Sequence, residues 1–148
     1  MKILVATDGT QAAIDAARKA LNLLRPDAEI VLVSVVHAYE DPMEEAGGFE
    51  GPLMSPEEAE AEYQRELANG EAALQRTASA LGKATDTRLI PAAEDPGHAI
   101  VDAARELHAD LIVLGSIKKG FFLRLLTGSV GDYVVHHAPC PVLIVPQG

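Results

Sequence analysis

Short apolar runs alternate with segments of helical period along the whole chain. The first run, Lys2–Thr7, is followed by Ile14, Ala17, Leu21 and Leu24 on one helical face, which Pro26 closes. Residues 29–36 form an almost unbroken apolar run, suited to a strand buried on both faces. A second helix has a clear start at Ser55-Pro56-Glu57-Glu58: a cap serine, proline in the first helical position, and a glutamate three residues after the cap. Tyr63, Leu67, Leu74 and Leu81 give its apolar stripe, and Gly82 can stop it in a left-handed conformation. Further strands are predicted at Thr87–Ala92, Asp110–Leu114 and Val142–Val145. Between them, Asp95-Pro96 opens a third helix whose inner face is Ile100, Ala103, Ala104 and Leu107. A fourth starts at Ser129, where Asp132 completes a second capping box, and Pro139 closes it.

Strands that alternate with helices in this way build repeated βαβ units on a parallel sheet. The expected fold class is therefore α/β; the expected architecture is a single-domain, doubly wound, five-stranded parallel sheet, order 3-2-1-4-5, with helices on both faces. A chain of 148 residues with 48% apolar content is large enough for one such core. Residues 38–54 break the pattern. They hold Pro42, Gly47, Gly48, Gly51 and Pro52 among acids, and so long a loop in a compact domain suggests function or mobility.

Charge sharpens the picture. The formal net charge is −10, and residues 37–66 hold ten acids against Arg65 alone. A nucleic-acid partner is disfavoured, because phosphate backbones need clustered Lys and Arg. Between Asp110 and Asp132 the balance inverts: Lys118, Lys119 and Arg124 stand with no acid, which suits an anionic ligand. No apolar run has the length of a signal-peptide core or a membrane span, so a cytoplasmic protein without membrane partners is expected. Cys140 is the only cysteine, which leaves no internal disulfide; set between Pro139 and Pro141, it reads as a buried structural thiol.

In open α/β sheets ligands bind beyond the carboxyl ends of the strands, where the strand order reverses. Two strand ends carry suitable chemistry. The first leads into Thr7-Asp8-Gly9-Thr10, where a carboxylate beside a glycine can accept hydrogen bonds from sugar hydroxyls. The fourth leads into Gly115-Ser116, and Gly128-Ser129 then opens a helix whose free N–H groups and dipole favour phosphate. Each feature also has a plainer role, Gly-Ser as a helix cap and Asp8 as a turn residue. Their convergence on one crevice is what favours a site. His136 and His137 are adjacent and diverge on a helix, which argues against a joint metal site. The chain has no G-x-G-x-x-G after its first strand and no G-x-x-x-x-G-K-[ST] at all, which disfavours dinucleotide oxidoreductases and P-loop NTPases.

Three segments together resemble the universal stress protein family. They are residues 110–116 (DLIVLGS), Gly128-Ser129-Val130, and residues 138–145 (APCPVLIV); the opening residues 3–10 (ILVATDGT) resemble that family's first strand and turn. Nucleotide-binding members carry a glycine, two residues, a second glycine, nine residues, then Gly-Ser or Gly-Thr. Gly115 matches the first glycine and Gly128-Ser129 the closing pair, whereas Lys118 stands in place of the second glycine, with Gly120 two residues on. Lys118 could obstruct a nucleotide or pair with its phosphates.

The resemblance implies that an adenine nucleotide, ATP alone or as its Mg2+ complex, lies against Ala6, Thr7, Asp8, Val35, Leu114 and Gly115. On the phosphate side it implies Ile117, Lys118, Gly128, Ser129, Val130 and Gly131. Asp8 would sit by the ribose and the backbone near Val35 by the adenine edge. Gly131 stands where the family often has Ser or Thr. The resemblance also implies a homodimer through strand 5 (Val142, Leu143, Ile144, Val145), an apolar edge strand of the kind that is normally covered or paired. Two functions follow. One is a stress or signalling protein that binds ATP or a related adenine nucleotide with little or no hydrolysis; the other is a dimeric interaction module of the same family that has lost the nucleotide. A receiver-like phosphate acceptor is a third class, but the paired acids it needs after the first strand are absent.

Overall fold

The computed structural model describes residues 1–38, 55–82, 86–92, 95–116 and 128–146. Five strands, β1 (Lys2–Ala6), β2 (Glu29–His37), β3 (Asp86–Ala92), β4 (Leu111–Ser116) and β5 (Val142–Pro146), alternate with four helices. The helices are α1 (Gln11–Asn22), α2 (Pro56–Leu81), α3 (Pro96–Glu106) and α4 (Gly128–His137). All strand pairs are parallel, as the alternating pattern predicts, and the order is the expected β3-β2-β1-β4-β5.

The register explains the two cores. Alternate residues of each strand point to opposite faces. On one face Leu4, Ala6, Val31, Val33, Ile112 and Leu114 pack beneath α3 and α4 with Ile100, Ala104, Val130 and Val134. On the other, Ile3, Val5, Ile30, Leu32 and Val113 pack beneath α1 and α2 with Ala16, Ala17, Ala20 and Leu74. Both faces are covered, as a parallel sheet requires. Among the described residues no helix is long and apolar enough to cross a membrane.

Local chemistry sets the helix ends. Thr10 caps α1 by accepting from the Ala13 N–H, and Asp95 caps α3 by accepting from the Gly97 N–H at 2.8 Å. Ser55 and Glu58 form the expected capping box, and Gly82 ends α2 in the left-handed region at φ 61°.

Several boundaries differ from the sequence expectation, most by a single residue. β1 stops at Ala6, because Thr7 already leaves the β4 side while its N–H still donates to Val33 O. β2 runs on to His37, which pairs with Ala92. β4 continues through Gly115 and Ser116, expected to be loop, because β5 offers Val145 and Pro146 as partners. Helix α4 is already under way at Gly128, so Ser129 lies inside its first turn and is not its cap. Cys140, expected to be buried, is only half-buried, since it sits in the connection at the margin of the core. Burial, and then the charge of Asp110, pushes its thiol up from the ordinary value. The acidic loop lies outside the described residues from 39 onward.

Helix α2 reaches the sheet through Gly70, where a Cβ would run into Leu89 and stand 2.9 Å from Val36 Cγ1. A larger side chain there must lift the helix from β2 and β3. Gly70→Val is expected to lower stability by about 1–3 kcal/mol, the usual cost of overpacking, measured by urea unfolding.

Candidate functional site

The crossovers from β1 and from β4 leave in opposite directions, to β2 on one side and to β5 on the other. A doubly wound sheet opens its crevice at that point, beyond the carboxyl ends of β1 and β4. Val5 is the last residue of β1 to pair with β4, opposite Val113, so the chain turns away toward Asp8 near the level of Leu114 and Gly115. Helix α4 begins just past the end of β4 and packs Val130 and Val134 into the core. Its free N–H groups belong to the same end of the sheet.

The expected site residues divide into groups. Ala6, Leu114 and Val130 are buried in the core under α3 and α4, and Val35 is half-buried against that cluster near the end of β2. Gly115 has a packing role: a Cβ there would stand 3.1 Å from the Ala16 Cβ of α1. At Gly131 a Cβ would meet nothing within 4 Å among the described residues, which leaves room there for a hydroxyl-bearing side chain. Gly128 and Ser129 are in the first turn of α4. Ile117 and Lys118 lie outside the described residues, as do Lys119 and Arg124.

Thr7 and Asp8 are the most informative. Thr7 is buried, and its hydroxyl is engaged by the Gly9 N–H at 3.1 Å and by Thr77 Oγ1 at 2.8 Å. Its side chain is therefore committed to the fold. Asp8 Oδ1 accepts from both the Thr10 N–H (2.9 Å) and the Thr10 hydroxyl (2.6 Å). Asp8 Oδ2 is buried and no donor among the described residues reaches it. Burial pushes the carboxyl above its ordinary value, against the Thr10 hydrogen bonds and the nearby Arg76 charge, which pull it down.

No other described side chain leaves a buried polar atom without a partner. An open groove of about 520 Å³ between β3 and α3, lined among others by Arg88, Ile90, His98 and Asp102, has none. His136 and His137 each engage the carbonyl four residues back, Asp132 O and Tyr133 O, both at 2.9 Å. Each ring is thus held along its own helix rather than toward a shared ion.

Sequence reasoning missed two contributors. Arg76 donates to Gly9 O at 3.3 Å, and Glu66 accepts from the His37 N–H at 3.1 Å at the carboxyl end of β2. Both come from α2, far along the chain, and nothing local marks them. Gly9 serves a close approach to α2.

The universal stress protein family model matches residues 1–146. The chain belongs to the universal stress protein family. A universal stress protein of Methanocaldococcus jannaschii is 33% identical over 152 aligned residues, covering 99% of this chain and 82% of that one. A solved universal stress protein of Lactobacillus plantarum superposes with a TM-score of 0.69 at 29% identity, covering 98% of this chain and 97% of its own. An Arabidopsis thaliana family member, solved with AMP bound, superposes at 0.67 over 100% of this chain and 92% of its own. At 20% identity that last likeness speaks to fold alone.

The raised Asp8 carboxyl has a stability consequence. A folded-state value above the unfolded one means the folded protein binds more protons, so ionisation of Asp8 costs stability as pH rises through the folded value. Asp8→Asn keeps an acceptor for Thr10 and removes that charge. Its urea midpoint should exceed the parent's at pH above the carboxyl range, and the gap should close as pH falls below it. An offset independent of pH would remove the charge as its cause.

Proposed function

We propose that this chain binds an adenine nucleotide in the crevice beyond β1 and β4, with Asp8 receiving a ribose hydroxyl and the N-terminus of α4 facing the phosphates. One atom carries this reading. Asp8 Oδ2 is a buried carboxylate oxygen without a donor among the described residues, and an ionised carboxylate can only accept. A hydroxyl of a sugar supplies the missing proton. The first turn of α4 offers backbone N–H groups and a positive dipole end at the same end of the sheet, which suits an anion attached to that sugar. The Arabidopsis thaliana family member that shares this fold was solved with AMP bound.

The nucleotide meant is ATP or a relative of it. Binding rather than hydrolysis is the role that fits, because the available carboxylate is assigned to the ribose and not to a water that would attack phosphate. At Gly131 the missing hydroxyl leaves room rather than a clash.

Isothermal titration with ATP and AMP tests this directly. The parent should bind, and Asp8→Ala should weaken binding by about tenfold or more, the worth of one charge-assisted hydrogen bond. Gly128→Val should abolish it by placing a branched side chain in the first turn of α4. Gly131→Ser should tighten it. Lys118→Ala should weaken binding in a salt-sensitive way if the ammonium pairs with phosphate, whereas Lys118→Gly should tighten it if the side chain obstructs. If neither the parent nor Lys118→Gly binds at millimolar ligand, the nucleotide reading fails and the interaction module stands.

We further propose a homodimer through β5. This strand is at the sheet edge, and its Ile144 is 40% exposed, while Leu143 packs in part against the core. Pairing would cover an apolar edge. Light scattering at micromolar protein should give a dimer, and Ile144→Lys should give a monomer with little change in unfolding temperature. A monomeric parent would end this proposal.

A further inference from the structure

The turn that carries Asp8 is held from behind by α2. Gly9 has φ +77°, and a Cβ on it would stand 2.6 Å from Ala73 Cα and 2.7 Å from Arg76 Nη2. Backbone and helix therefore touch with no room for a side chain. Both hydrogen-bonding groups of Gly9 are also tied to this helix. Its carbonyl accepts from Arg76 Nε at 3.3 Å. Its N–H enters a directional chain: it donates to Thr7 Oγ1 at 3.1 Å, and Thr7 meets Thr77 Oγ1 at 2.8 Å.

The direction of that chain follows from proton counting. The Thr77 hydroxyl donates its single proton to Ala73 O at 2.8 Å, so toward Thr7 it can only accept. The Thr7 hydroxyl is then the donor, and its lone pair is free for Gly9. The order is Gly9 N–H to Thr7 to Thr77 to Ala73 C=O. Both hydroxyls are buried, at 1% and 0% exposure, so water does not compete for these bonds.

Asp8 lies between Thr7 and Gly9, both of which α2 holds. Thr10 fixes the other carboxylate oxygen, so the heading of Oδ2 depends on backbone angles that this clamp sets. We propose that Arg76 and Thr77 are positioning residues that orient Asp8 for a ribose hydroxyl without touching the ligand. The proposal rests on the nucleotide reading above. Arg76 is exposed apart from this contact, so its removal leaves the core intact.

The test pairs a truncated ligand with truncated residues. AMP and 2′,3′-dideoxy-AMP are titrated calorimetrically into the parent, Arg76→Met, Thr77→Val and Thr77→Ser, and amide exchange at Gly9 is followed without ligand. The parent should prefer AMP by about tenfold or more, as one charge-assisted hydrogen bond allows. Arg76→Met and Thr77→Val should lose most of that preference through weaker AMP binding, with dideoxy-AMP affinity unchanged. Thr77→Ser, which retains the hydroxyl, should restore it. Gly9 exchange should quicken in the first two variants only. A preference that survives Arg76→Met overturns the proposal, as does a parallel fall for both ligands, which would mean general loss of support. Should Thr77→Val fail to fold, Arg76→Met alone decides. A parent that binds both ligands equally removes the ribose assignment and this inference with it, and Gly9 exchange then shows whether the clamp itself is real.

Discussion

A parallel sheet needs cover on both faces, and the central position of β1 makes that requirement strict. Ile3, Leu4 and Val5 are at most 1% exposed, with Ile3 and Val5 under one helix pair and Leu4 under the other. A strand buried on both faces forces the connections on its two sides to leave in opposite directions. The crevice between β1 and β4 is the gap those departures leave. It exists because of how the sheet is covered, before any ligand chemistry is considered.

Among the described residues, that end of the sheet holds a carboxylate with one oxygen satisfied and the first turn of α4. Asp8 carries a cost of its own, since burial opposes the ionisation of its carboxyl.

How much of this could be seen in the chain itself depended on whether the cause was local. The capping box at Ser55, the glycine stop at Gly82 and the aspartate cap at Asp95 are short-range chemistry, and each formed where it was expected. The parallel sheet followed from alternation and burial pattern. The ends of β4 and α4 did not, because Gly115 joins the sheet only by virtue of Val145, a partner thirty residues on. Asp8 was legible as a polar residue at a strand end. Its unmatched oxygen was not, since that is a property of its surroundings. Arg76 and Thr77 were silent for the same reason: on a long helix with ordinary spacing, their meaning lies in what they touch.

The contact between Thr7 and Thr77 spans seventy residues. Closing so long a stretch costs chain entropy before the contact gives anything back. The final shape of the first turn therefore depends on a helix far along the chain, docked on β2 and β3. A small molecule that selects the finished turn would stabilise the docked helix as well, so occupancy near the first strand would be felt as rigidity along one side of the molecule.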